Sequence, residues 1–95
     1  MQRRSARVPY EHEYVRIEYN LDSAARGVQE ITVILEKDQK QRIDIVYRWL
    51  AACLLNWSIA TDGVVAPITV EALQDLPVRL VALMAQEIVD GLDDL

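Results

Sequence analysis

Residues 45–60 read IVYRWLAACLLNWSIA, the most apolar stretch of this chain of 95 residues. The stretch is 16 residues long and contains Arg48 and Asn56, whereas a helix that crosses a bilayer needs about 20 predominantly apolar residues. It therefore predicts a buried helix of a soluble protein, and we expect no association with a membrane.

Apolar residues recur at helical spacing from Ile43 to Trp57, which predicts a central helix over residues 39–57. One face of that helix carries Ile43, Val46, Tyr47, Leu50, Cys53, Leu54 and Trp57. A second apolar stripe contains Ile45 and Trp49. Because a helix that is apolar on two sides needs two partners, one of them can be another chain.

The sequence after the central helix contains turn and helix-start signals. The Asp-Gly pair at 62–63 indicates a turn. Thr69 is suited to the N-cap position, where its hydroxyl accepts a hydrogen bond from a backbone N–H of the first turn, and Pro77 suits the opening turn of a further helix. We therefore expect two more helices, over residues 70–75 and 77–90.

The segment before the central helix supports two interpretations. Apolar residues at alternating steps of three and four favour a helix, which we place over residues 22–37. Val15, Ile17 and Tyr19 alternate with charged residues, a pattern typical of a strand. The sequence therefore leaves open a short β segment near residues 13–19.

The N-terminal residues are basic, whereas the whole chain is acidic. Residues 1–9 hold Arg3, Arg4 and Arg7 and no acidic side chain, and the formal net charge of the chain is −5. We expect residues 1–9 to form a flexible basic arm in front of a single helical domain, residues 10–95. Because an acidic body repels phosphate, a nucleic acid would have to bind through this arm.

Taken together, these segments predict an all-α fold, a small helical bundle. Apolar residues make up 52% of the chain, which is enough for a packed core and excludes global disorder. The residues expected in that core are Leu50, Leu54, Trp57, Leu73, Leu80 and Ile88.

The side chains needed for catalysis do not occur in a usable pattern. Cys53, the one cysteine, has apolar neighbours along the chain and is expected to be a small buried side chain rather than a nucleophile. His12, the one histidine, has no second ligand at metal-binding spacing. The three glycines stand far apart, so there is no phosphate-binding loop. We therefore expect no catalytic, metal or cofactor site, and a protein that is not an enzyme.

Residues 47–92 contain an ordered series of motifs. An aliphatic-x-Trp motif is followed by an Asp-Gly turn, a loop that contains proline, a short helix capped by threonine, and a Leu-Pro step into a terminal amphipathic helix. The residues that carry the series are Leu54, Leu55, Trp57, Asp62, Gly63, Pro67, Thr69, Leu73, Leu76, Pro77, Leu80 and Ile88. In this order and spacing the chain resembles the tail assembly chaperones of long-tailed bacteriophages.

The resemblance implies a non-enzymatic chaperone that binds the helical tape measure protein and keeps it soluble during tail morphogenesis, in the cytoplasm of the bacterial host. It also implies the tail tube protein as a second partner. We expect partner binding through apolar side chains left over from the core, namely Ile45, Trp49, Leu83 and Met84. Two alternatives stay open: the same residues form a homo-oligomer interface, or the protein is a small regulatory or nucleic-acid-associated module that acts through the basic N-terminal arm.

Overall fold

The fold combines helices with strands, which overturns the all-α prediction. A computed structural model of the chain describes residues 2–93. The predicted arm over residues 1–9 and the predicted domain over residues 10–95 include residues 1, 94 and 95, which lie outside the described residues. The chain is 53% helical and 26% strand, with a three-stranded antiparallel sheet and a separate two-stranded sheet in the described part. The helical bundle is therefore replaced by a layer of helices packed on a sheet.

The N-terminal residues form a β-hairpin. Strand β1 (Arg3–Tyr10) pairs antiparallel with strand β2 (Glu13–Asn20) along its whole length, and Glu11 and His12 connect them. The segment that its basic composition marked as a flexible arm is therefore an edge strand, held by the ladder of backbone hydrogen bonds. The short β segment considered near residues 13–19 corresponds to β2.

The predicted helix over residues 22–37 consists of two shorter helices, α1 (Leu21–Ala25) and α2 (Val28–Glu36). The break lies at Gly27, whose φ of +77° is a left-handed conformation that glycine adopts without steric cost. At the start of α1, the Asn20 side chain accepts a hydrogen bond from the Ser23 N–H at 3.1 Å. Apolar spacing continues across the break, which is why the sequence suggested one helix.

The predicted central helix over residues 39–57 is also shorter. A 3₁₀ turn (Lys40–Arg42) leads into helix α3 (Ile43–Cys53), and the chain then becomes strand β3 (Leu54–Trp57), which pairs antiparallel with β2. The three-stranded sheet has the order β1–β2–β3.

A bulge in β3 explains why the sequence favoured helix there. The pairing of β3 with β2 skips Leu55, an extra residue of the kind that forms a β-bulge. As a result Leu54 and Trp57, three positions apart, are both buried. Three positions is also the spacing of one helical face, so the apolar pattern is the same for a helix and for this bulged strand.

The C-terminal part follows its local signals. Strands β4 (Ala60–Thr61) and β5 (Val64–Val65) flank the predicted turn at residues 62–63. Helix α4 (Val70–Gln74) is followed by helix α5 (Val78–Asp93), close to the two predicted ranges. The Thr69 hydroxyl accepts the Ala72 N–H at 3.1 Å, as expected of an N-cap.

The core lies between the inner face of the three-stranded sheet and the helices. Helix α5 packs on β1, and α1 packs on β2 and α3. The six residues expected in the core are all buried, namely Leu50, Leu54, Trp57, Leu73, Leu80 and Ile88. Within residues 2–93, every buried side chain is apolar, aromatic or the Cys53 thiol.

Candidate binding surfaces

The four residues predicted to bind a partner do not lie on one surface. Met84 is fully buried, and Trp49 is buried with its indole N–H donating to the Ala24 carbonyl oxygen at 3.0 Å. Ile45 and Leu83 are half-buried. Trp49 and Met84 are therefore core residues, because the helices fold around the second apolar stripe of α3 as well as the first.

A shallow groove of about 420 Å³ opens between α3 and the junction of α1 with α2. We name this surface the helical groove, and it is lined by Gly27, Glu30, Ile31, Ile45, Arg48 and Trp49. Ile45 and Trp49 are four residues apart on α3, so they lie on the same face of that helix. Of the four predicted residues, these two line the groove, and Leu83 and Met84 do not.

The charged residues of the helical groove are paired within the protein. Arg48 donates to the Asp44 carboxylate at 2.7 Å, one turn away on α3. Glu30 accepts a hydrogen bond from Arg42. The groove is therefore lined by apolar side chains, of which Ile45 is the most exposed, and by charged side chains that already have partners within the protein.

The outer side of the three-stranded sheet forms a second concave surface, a depression of about 810 Å³. We name it the open sheet face. Its polar and charged lining residues are Ser5, Arg7, Arg16, Glu18, Asn56 and Ser58, and Ala6, Ile17, Trp57 and Val65 line it as well. Strand alternation places the polar and charged residues opposite the buried ones, and no helix covers them in the described part of the chain.

Two arginines lie directly opposite each other on the open sheet face. In the β1–β2 register Arg7 pairs with Arg16, and both side chains are exposed. At one end of the face, Arg3 donates to the Glu18 carboxylate at 3.2 Å. At the other end, Tyr14 pairs with Pro9 and is 65% exposed.

Arg4 differs from the other arginines of β1 because strand alternation turns it inward. Its guanidinium donates to the Gly91 carbonyl oxygen of α5 at 2.6 Å, close to the buried Tyr19 hydroxyl. Burial raises the pKa of Tyr19, and the charge of Arg4 opposes that rise. Arg4 therefore joins α5 to the sheet and does not belong to an exposed basic patch.

Neither Cys53 nor His12 has a second titratable group beside it that would complete a metal site among residues 2–93. Cys53 is fully buried, and burial raises the pKa of its thiol to about 12, so the reactive thiolate is strongly disfavoured. His12 is exposed at the β1–β2 turn. Across residues 2–93, no three histidine, cysteine or acidic side chains lie close enough together to hold a metal ion.

The sequence did not single out Arg16. Arg16 becomes a candidate only because it pairs with Arg7. That pairing depends on the hairpin register, which the sequence does not reveal when the turn contains no glycine or asparagine.

None of the helices in the described part is both long enough and apolar enough to span a membrane. Comparison of the chain with protein-family models, with curated proteins and with solved structures gives no match.

Proposed function

We propose that this protein is a non-enzymatic tail assembly chaperone of a long-tailed bacteriophage, which binds the helical tape measure protein and keeps it soluble in the cytoplasm of the bacterial host. The observation that carries the proposal is the helical groove, a depression lined by apolar side chains and by charged side chains that already have partners within the protein. The motif series in residues 47–92 supports the same function.

The helical groove suits apolar side chains presented by a partner helix. An α-helix is about 10 Å across with its side chains, so the partner would lie on the rim and place side chains next to Ile45. Because Arg48 and Glu30 already have partners, an apolar ligand would leave no charge unpaired.

Each copy would then bind weakly, since the groove is small. A long tape measure protein with repeated apolar stripes would be covered by many copies, each with modest affinity. Weak single contacts also suit a chaperone that the polymerising tail tube protein must later displace.

The alternative function, a nucleic-acid-associated module acting through Arg3, Arg4 and Arg7, receives less support. Arg4 is turned inward and bonded to Gly91, and Arg3 is paired with Glu18. Of the three arginines, Arg7 alone is free of such a contact within residues 2–93.

Co-expression with the tape measure protein of a long-tailed bacteriophage tests the proposal. The wild-type chain should keep that protein in the soluble fraction, and Ile45→Glu should abolish the effect because it places a charge in the apolar groove. Val78→Glu is the matched control: Val78 is 50% exposed at the start of α5 and does not line the groove.

Circular dichroism must show that both variants are folded. If the tape measure protein is equally soluble with wild type, Ile45→Glu and no chaperone at all, the proposal is wrong.

A further inference from the structure

The open sheet face contains an electrostatic arrangement that the proposed function does not use. Arg7 and Arg16 are directly opposed on neighbouring strands, with both side chains exposed. Like charges at directly opposed positions of an antiparallel pair destabilise the sheet. Within residues 2–93 neither guanidinium makes an ion pair or a side-chain hydrogen bond.

The arginine pair lies in a concave surface that also contains uncharged polar side chains. Ser5 and Asn56 are short neutral side chains that can donate and accept hydrogen bonds, and they line the same depression of about 810 Å³. Glu18 lies on this face too, but Arg3 holds it at 3.2 Å. The acid on the face is therefore neutralised, and the two arginines are not.

We propose that the open sheet face binds an acidic, extended segment of a protein partner, with one of its carboxylates seated between Arg7 and Arg16. The planar guanidinium group matches a carboxylate with two parallel hydrogen bonds. A carboxylate in this position replaces the repulsion between the arginines with two attractive contacts. This site goes beyond the proposed chaperone function, because it lies on the outer side of the sheet and recognises charge rather than apolar surface.

The charge distribution favours a peptide over a nucleic acid. A single strand of nucleic acid carries a phosphate at every nucleotide, and the chain it would approach has a formal net charge of −5. In an extended peptide, side chains on one face are about 6.6 Å apart, so carboxylates can alternate with neutral residues. The backbone of such a peptide can bond to Ser5 and Asn56.

The acidic C-terminal helix of a second copy is a poorer match than an extended peptide. Its acidic side chains nearest the C-terminus in the described part, Glu87, Asp90 and Asp93, lie on helix α5. A helix cannot present the alternating carboxylates of an extended strand to this face.

Fluorescence anisotropy with a labelled peptide of alternating glutamate and serine tests the site. The wild-type chain should bind the probe saturably, with affinity falling as salt is added. Arg7→Gln and Arg16→Gln should each weaken binding roughly tenfold, the loss expected for a hydrogen bond between charged groups. Arg26→Gln is the matched control. Arg26 is exposed and lies next to α1, away from the open sheet face, and the substitution removes the same charge.

Thermal unfolding separates loss of the site from loss of the fold. Arg7→Gln should raise the Tm while it weakens binding, because it relieves the repulsion with Arg16. Equal loss of binding in Arg26→Gln would overturn the proposal. So would an oligothymidylate of equal charge binding more tightly than the peptide through the same arginines, or self-association of the chain that depends on Arg7.

Discussion

The two faces of the three-stranded sheet carry arginines of the β1–β2 hairpin in opposite electrostatic situations. On the inner face, Arg4 donates to the Gly91 carbonyl oxygen. Its charge also opposes the rise that burial causes in the pKa of Tyr19. On the open face, Arg7 and Arg16 oppose each other with no counter-ion among residues 2–93.

This difference separates the residues that stabilise the fold from those available for binding. The inner face buries apolar side chains and gives its polar groups partners, so substitutions there should be costly. The open face holds the repulsive pair Arg7 and Arg16, and a substitution of either arginine should cost nothing or stabilise the protein. Substitutions on the two faces therefore test this contrast.

The largest effect is expected from Trp57, which anchors the inner face. Its side chain is buried, and its indole N–H donates to the Ala66 carbonyl oxygen at 2.7 Å. Trp57→Ala should lower the free energy of unfolding by about 3–5 kcal/mol, measured by urea denaturation. Trp57→Phe keeps most of the apolar volume and loses the hydrogen bond, so it should cost about 1–2 kcal/mol. Equal stability of Trp57→Ala and wild type would place Trp57 outside the core.

The buried thiol of Cys53 makes the free energy of unfolding depend on pH in the alkaline range. Burial raises the pKa of its thiol from 9.0 to about 12. The folded state therefore holds its proton more tightly than the unfolded state. The contribution to stability is fully present below pH 9 and is lost as pH rises towards 12.

Urea denaturation of wild type and Cys53→Ala between pH 8 and pH 11 measures this contribution. Wild type should lose stability faster with rising pH than the variant, which lacks the thiol. Parallel curves for the two proteins would show that Cys53 is accessible to water.

A smaller effect is expected at Gly91, where α5 approaches the sheet. A Cβ added at this position would lie 2.5 Å from the Tyr19 hydroxyl oxygen, a distance at which the buried ring must move. Gly91→Ala should therefore destabilise by about 1–3 kcal/mol, although alanine is the better helix former.

The Tyr19→Phe background provides the control for Gly91→Ala. Removing the hydroxyl removes the clashing atom, so the cost of Gly91→Ala should shrink when both substitutions are present. Strictly additive costs would mean that the two residues do not touch.

The turn at residues 62–63 and helices α4 and α5 could be predicted because their signals are local, whereas strands β4 and β5 were not predicted. Thr69 caps α4 through a bond three residues away, and the turn at residues 62–63 needs only its own two residues. The N-terminal half depends on pairing between distant segments. β3 joins β2 from nearly 40 residues away, and the bulge at Leu55 gives Leu54 and Trp57 a helix-like spacing.

The residues of the two binding surfaces also differ in whether they could be predicted from the sequence. Ile45 could be assigned to an accessible stripe from the periodicity of α3 alone. Trp49 and Met84 could not be assigned to the core or to the surface, because the sequence does not show which apolar stripe of a helix the other helices cover. The Arg7–Arg16 pair was beyond prediction, since it exists only in one hairpin register and the Glu11–His12 turn carries none of the residues that fix a register.

The smallest effect, and the one of opposite sign, is expected on the open sheet face. Arg7→Gln should stabilise the protein by about 0.2–1 kcal/mol, because it removes one of two opposed like charges. Arg3→Gln, four residues earlier on the same strand and face, should destabilise by about 0–1 kcal/mol, because it breaks the exposed ion pair with Glu18. Urea denaturation at low salt compares the two variants, and added salt should bring both values towards zero. The two substitutions remove the same charge from the same strand, so a shift of the same sign in both would reflect the net charge of the chain. Opposite signs would show that the register, rather than the net charge, makes Arg7 costly to the fold.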